Sequence, residues 1–158
     1  MSASMTPQFE SLIGTVTSWL AGRPVEPALG AALAKQFPPD GETFRALAAA
    51  CREGVRDGWL CQRGDETLRW GRVIKPSPAT QEYSVDVVRM TEIAGPHHAH
   101  PKGEIDLVLP IDEGAKFDGQ GEGWLVYGPG SAHSPTVRGG AAIVLYLLPG
   151  GEIAFSKS

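Results

Sequence analysis

The chain has two cysteines, Cys51 and Cys61, ten positions apart and outside any CxxC pattern. That scarcity excludes a disulfide-stapled scaffold and points to a reduced, cytoplasmic protein. No window approaches the roughly eighteen uninterrupted apolar residues that a membrane span requires. The N-terminal "MSASMTPQFESL" has no basic segment leading into an apolar run, which argues against a secretory signal. Positive charge is also short: 14 Lys and Arg stand against 18 Asp and Glu, for a net charge of −4. The basic residues are scattered, so no electrostatic footprint for nucleic acid forms, and small molecules are the expected partners. The expectation is a soluble protein with no membrane or nucleic-acid partner.

The 158 residues suffice for one domain with its own core. From Thr6 to Leu20, Phe9, Leu12, Ile13, Val16, Trp19 and Leu20 recur at helical spacing, with Thr6 as N-cap and Pro7 in the first turn. "VEPALGAALAKQF" repeats the proline start ahead of Leu29, Leu33 and Phe37. With Asp40 as cap, Phe44, Leu47, Ala48, Cys51 and Val55 form a third stripe that runs out near Gly58. Residues 1–58 are thus expected to be a helical segment packed on the rest of the chain. Beyond Trp59 the pattern turns to short β runs: "TLRWGRVI", "YSVDVVRMTEI", "EIDLVLPI", "GWLVYG" and "AAIVLYLL". Residues 59–158 therefore suit an antiparallel sandwich or barrel, in one folded unit with the helices. The run Ala141 to Leu148 is apolar on both faces, so its outer face needs a cover, either the helices or a second subunit.

Histidine is scarcer than its distribution suggests, because three of the chain's four lie in "AGPHHAHPKGE". In an extended strand alternate side chains share a face, so His98 and His100 point the same way about 7 Å apart. "PKG" then turns the chain and brings Glu104 to the same side. His133 arrives after a second Gly/Pro turn, "YGPGSAH". Imidazole and carboxylate ligands suit a divalent transition metal, Fe, Mn, Ni, Cu or Zn, and leave positions open for water or substrate. His97 has the wrong parity to join them and is expected to be exposed or to support a ligand.

These residues resemble the cupin superfamily, whose first motif ends in HxHxxxE and whose second contains PxGxxH. "HAHPKGE" matches the first, and "PGSAH" keeps its glycine three positions before the histidine. Pro129 falls one position late, Val137 stands in place of an asparagine, and Ile111 replaces a closing glycine, so the hairpin after Glu104 is expected to be longer than usual. The resemblance implies a mainly β, double-stranded β-helix (jelly-roll) barrel with His98, His100, Glu104 and His133 around a metal in its mouth. A narrower similarity, carried by "HPKGEIDLVLPID", "FDGQGEGWLVYGPGSAHSPTV" and "IVLYLLPGGEIAF", is to the 4-hydroxylaminobenzoate lyase family. That similarity implies conversion of 4-hydroxylaminobenzoate to 3,4-dihydroxybenzoate (protocatechuate) with release of ammonia, in 4-nitrobenzoate degradation. Two other functions remain open: a metal-dependent cupin dioxygenase or isomerase of another small aromatic or carbonyl compound, and a non-catalytic small-molecule-binding cupin.

For the implied reaction, Asp106 is expected to share the face of Glu104, two residues before it. It is a candidate general acid or base, or alternatively a hydrogen-bond partner of a metal-bound histidine. Glu104 and His133 join it as candidate catalytic groups. The substrate's carboxylate calls for a cation, with Arg89 the first choice because it interrupts "VDVVRM", and Arg72 and Lys102 behind it. Trp124, Tyr127 and Tyr146 are candidate walls of an aromatic substrate pocket. A homodimer is expected from the two-sided apolar run and the common pairing of cupins through their sheets.

Overall fold

The computed structural model describes residues 7–156. Three α-helices come first: α1 (Pro7–Leu20), α2 (Leu29–Gln36) and α3 (Glu42–Asp57). The expected Thr6 cap lies outside the described residues. Gly41, not Asp40, caps α3, through its extended backbone and with no side-chain hydrogen bond. The helix ends where expected, on Gly58 at φ 85°, a left-handed conformation that glycine adopts without steric cost. Among the described residues no helix is long and apolar enough to cross a membrane.

Among the described residues ten strands follow, five of them the expected runs. They are β1 (Arg63–Gly64), β2 (Leu68–Ile74), β3 (Tyr83–Ala94), β4 (His98–His100), β5 (Glu104–Pro110), β6 (Lys116–Phe117), β7 (Gly123–Tyr127), β8 (Ser131–His133), β9 (Thr136–Pro149) and β10 (Ala154–Phe155). Seven build an antiparallel sheet in the order β1-β2-β3-β9-β5-β7, with β6 also on β9; a second sheet is β10-β4-β8. The fold is mainly β, two antiparallel sheets forming a barrel with a helical segment before it.

Strand alternation sorts the side chains of the large sheet into two cores. Val85 and Val87 of β3, Ile105, Leu107 and Leu109 of β5, and Ile143, Leu145 and Leu147 of β9 pack with Phe9, Leu33 and Phe44 of the helices. The intervening positions, including Val88, Met90, Val108, Val144 and Tyr146, fill the barrel interior. The two apolar faces of β9 are thus both covered within one chain, the outer one by the helices. A second subunit is not needed for that purpose, so this strand gives no support to a dimer. The parity also defines which residues look into the barrel: Trp70 and Arg72, Asp86 and Val88, Glu104 and Asp106, Leu125 and Tyr127.

Candidate active site

The three-residue strands β4 and β8 pair antiparallel with His98 opposite His133 and His100 opposite Ser131, so three imidazoles meet across one ladder. The chain then turns at Pro101–Gly103. Gly103 sits at φ 93°, and a Cβ there would lie 2.7 Å from Val25 and 2.8 Å from the Tyr127 carbonyl, so glycine is required for the turn that returns Glu104. Gly103 and Gly130 both donate their N–H to the His100 carbonyl, which ties the two motifs together. His98, His100, Glu104 and His133 each place a ligand atom within 4.8 Å of all the others. His97 points away, exposed, with its Nδ1 2.6 Å from Ser156 Oγ.

The hydrogen bonds behind the imidazoles decide their tautomers. His98 Nδ1 faces the Pro96 carbonyl at 3.2 Å, an acceptor only, so Nδ1 carries the proton. Ser131 spends its own proton on the Gly128 carbonyl at 2.6 Å and therefore accepts from His100 Nδ1 at 2.9 Å. His133 Nδ1 donates to Asp118 Oδ2 at 2.6 Å. All three Nε2 atoms are left as lone pairs aimed at one another and at Glu104. The Nε2 atoms of His98 and His133 are 3.1 Å apart, and Glu104 Oε1 lies 3.3 Å from His100 Nε2 and 3.8 Å from His98 Nε2. Glu104 Oε2 is 3.8 Å from His133 Nε2.

Converging lone pairs and a carboxylate repel one another unless a cation or protons lie between them. His100 Nε2 and both Glu104 oxygens are buried without a hydrogen-bond partner, a costly arrangement for a cluster meant to stand alone. The donor set and its spacing fit one divalent transition metal held by His98, His100, Glu104 and His133. Burial pushes the Glu104 carboxyl up, but positive charge among the ligand atoms, supplied in the metal-free cluster by protons on the His100 and His98 imidazoles, outweighs it and holds it down at about 2. Glu104 is therefore a carboxylate at neutral pH.

Asp106 lies two residues on along the same face, fully buried, with neither oxygen hydrogen-bonded. Burial, then the charge of Glu104, pushes its carboxyl well above the usual range. The direction favours its protonated form beside the ionised Glu104, a pairing that suits proton transfer. Tyr127 stacks against His133 and His100, with ring centroids 4.6 Å and 5.4 Å away. Its hydroxyl donates to Asp118 Oδ2 at 2.5 Å, and burial together with that carboxylate raises its pKa. Tyr146 is Asp106's neighbour on β9 and faces the same interior.

A cavity of about 910 Å³ opens beside this cluster, lined among others by His98, Tyr146, Phe155, Trp70, Arg63 and Arg72. The volume and largely apolar walls suit a small aromatic ligand.

Two expected substrate contacts are not brought to the site. Arg89 alternates with Val88 and Met90 and so lies on the helix-facing side of β3, where it donates to Thr91 Oγ1 at 3.2 Å. Trp124 has the same fate on β7, buried against Phe37 and Phe44 with its Nε1 donating to the Phe37 carbonyl at 2.9 Å. Lys102 is exposed and paired with Glu152 at 2.7 Å. Asp118 and Ser131 were not among the sequence candidates. Asp118 sits at φ 48° in "FDGQGEG", a setting that reads as an ordinary turn, and only its closeness to His133 in space reveals its part.

Among solved structures the chain is similar to an RmlC-like cupin protein from Ralstonia eutropha JMP134, with a TM-score of 0.44 and 12% identity over 60% of this chain and 62% of that one. It is also similar to the DMSP lyase DddQ from Ruegeria pomeroyi DSS-3, with a TM-score of 0.36 and 19% identity over 92% of this chain and 99% of that one. Two relatives are closer in sequence, both named 4-hydroxylaminobenzoate lyase. The one from Nocardioides sp. (strain LMS-CY) is 35% identical over 75% of this chain and 76% of its own. The one from Pseudomonas putida is 34% identical over 78% of this chain and 80% of its own. The family model for 4-hydroxylaminobenzoate lyase matches residues 11–155, nearly the whole described fold. The chain is an enzyme of the 4-hydroxylaminobenzoate lyase family.

Proposed function

We propose that the enzyme converts 4-hydroxylaminobenzoate to 3,4-dihydroxybenzoate and ammonia, a step that consumes one water and needs no external oxidant. The observation that supports this reading, beside the relatives' shared name, is the buried set of unpartnered atoms on His100 and Glu104 next to His98, which lines an apolar cavity. Such a cavity suits a flat aromatic substrate whose reacting group meets the donors. The reaction belongs after reduction of a nitroaromatic acid, which supplies the hydroxylamine. The two cysteines, both free and buried, suit a reducing cytoplasm.

In the chemistry, hydroxide leaves nitrogen as the N–O bond breaks, oxygen from water joins the adjacent ring carbon, and the resulting imine is hydrolysed to release ammonia. Two waters enter and one leaves as the departed hydroxide plus a proton. His98, His100, Glu104 and His133 would hold the metal, which when bound would supply Lewis acidity toward an oxygen of substrate or water. Asp106, neutral at the start, gives its proton to the departing hydroxide and as a carboxylate then takes one from the attacking water. Tyr127 and Tyr146 flank the reacting group and keep bulk water from the electrophilic ring. Incubating the purified protein with 4-hydroxylaminobenzoate under anaerobic conditions tests the reading. Equal amounts of 3,4-dihydroxybenzoate and ammonia are expected; a requirement for dioxygen would point to a dioxygenase instead.

A further inference from the structure

Four polar residues form a row across the inner face of the large sheet. Arg72 on β2 is the direct neighbour of Asp86 on β3, Asp86 of Tyr146 on β9, and Tyr146 of Asp106 on β5. Strands lie about 4.8 Å apart, so the row runs roughly 14 Å from the cavity's outer part to the acid beside the donor cluster. Its inner end is built for reaction. Its outer end carries fixed positive charge.

Arg72 gives Nε and Nη2 to the two oxygens of Asp86 at 2.8 and 3.1 Å, and Nη2 also to the Gly151 carbonyl at 3.1 Å. These bonds lock the guanidinium in one orientation, while its Nη1 has no hydrogen-bond partner among the described residues. Arg63, opposite Trp70 on the β1–β2 ladder, lines the same cavity and has no carboxylate partner among the described residues. Arg63, Arg72 and Asp86 are the cavity's Lys, Arg, Asp and Glu side chains, so one positive charge there is uncompensated. Beside this row the cavity walls are apolar, with Val88, Met90 and Trp70.

We infer that this outer end is an anion subsite, in which Arg72 Nη1, held in place by Asp86, and Arg63 bind the carboxylate of an aromatic acid whose opposite end reacts at the donor cluster. The inference rests on the proposed reaction for its substrate class but adds the residues that select it. A carboxylate at the para position is then both anchor and ruler: it sets how far the reacting nitrogen reaches along the row. An uncharged arylhydroxylamine lacks that anchor and binds without fixed orientation.

The test uses benzoate as an inert probe together with two substrates, 4-hydroxylaminobenzoate and phenylhydroxylamine. Arg72→Met should weaken benzoate binding by at least about tenfold in a calorimetric titration, as expected for loss of a charged hydrogen bond. The same variant should raise KM for 4-hydroxylaminobenzoate by a similar factor and lower kcat/KM for phenylhydroxylamine much less. Arg63→Met, at an exposed position that packing does not need, should give a smaller loss of the same kind. Benzoate affinity that is unchanged in both variants would overturn the subsite, as would equal losses on the charged and uncharged substrates. If the wild type converts neither substrate, the reaction falls, while loss of benzoate binding in Arg72→Met would still support the subsite.

Discussion

His133 Nδ1 lies 2.6 Å from Asp118 Oδ2, and the same oxygen accepts from Tyr127. The backbone N–H of Thr136 binds the other oxygen at 2.9 Å, which leaves the carboxylate no freedom to turn. Burial raises the Asp118 carboxyl, but the bonds from His133 and Tyr127 prevail and keep it ionised. One carboxylate thereby fixes the tautomer of the His133 imidazole and makes its Nε2 a better donor toward any metal the four residues hold. Asp118→Asn keeps the shape and removes the charge. It should weaken metal affinity by about 10–100-fold in a competitive titration with a chromophoric chelator. An unchanged affinity would show that His133 needs no carboxylate behind it.

Asp106 is proposed for proton transfer, and its buried oxygens have no hydrogen-bond partner among the described residues. Asp106→Asn should lower kcat by about 10²–10⁴-fold. Because the proton moves only in the transition state, KM should change little. Steady-state kinetics on the metal-loaded variant reads this directly, and near-normal kcat would reduce Asp106 to a neutral lining of the barrel.

Trp124 serves stability. Its indole joins β7 to the last turn of α2 through the Phe37 carbonyl and packs edge-on against Phe44, 6.0 Å between ring centroids. Trp124→Phe strands that carbonyl and should cost about 1–3 kcal/mol in denaturant unfolding. Trp124→Ala should cost about 3–5 kcal/mol. Neither should alter KM for the substrate, which separates this residue from the cavity wall.

The placement of Trp124 and Arg89 shows where the sequence stops being readable. Helix stripes and the five long strands come from periodicity, and the HxHxxxE spacing brings His98, His100 and Glu104 to one point because alternation and one glycine turn suffice, with His133 joining from the second motif. Which face of a strand looks inward is another matter. Both faces of β3 are apolar, Val85 and Val87 on one side and Val88 and Met90 on the other, so nothing local says that Asp86 rather than Arg89 enters the barrel. That choice is made by the helices, which cover the face of Val87 and so leave the other to the cavity. Strands of two or three residues, such as β6 and β8, are too short to show any alternation. Asp118, fifteen positions before His133, meets it only because β6 and β8 bring two distant turns together.

If His98, His100, Glu104 and His133 hold the metal on which catalysis depends, activity must track the ion. The decisive measurement is the rate of 3,4-dihydroxybenzoate formation against bound metal, after stripping with a chelator and adding divalent ions back one at a time. Activity should fall with the metal, return on adding one equivalent of a suitable transition ion per chain, and fail to return in Glu104→Gln. Full activity in protein with the metal removed would contradict a metal-dependent site.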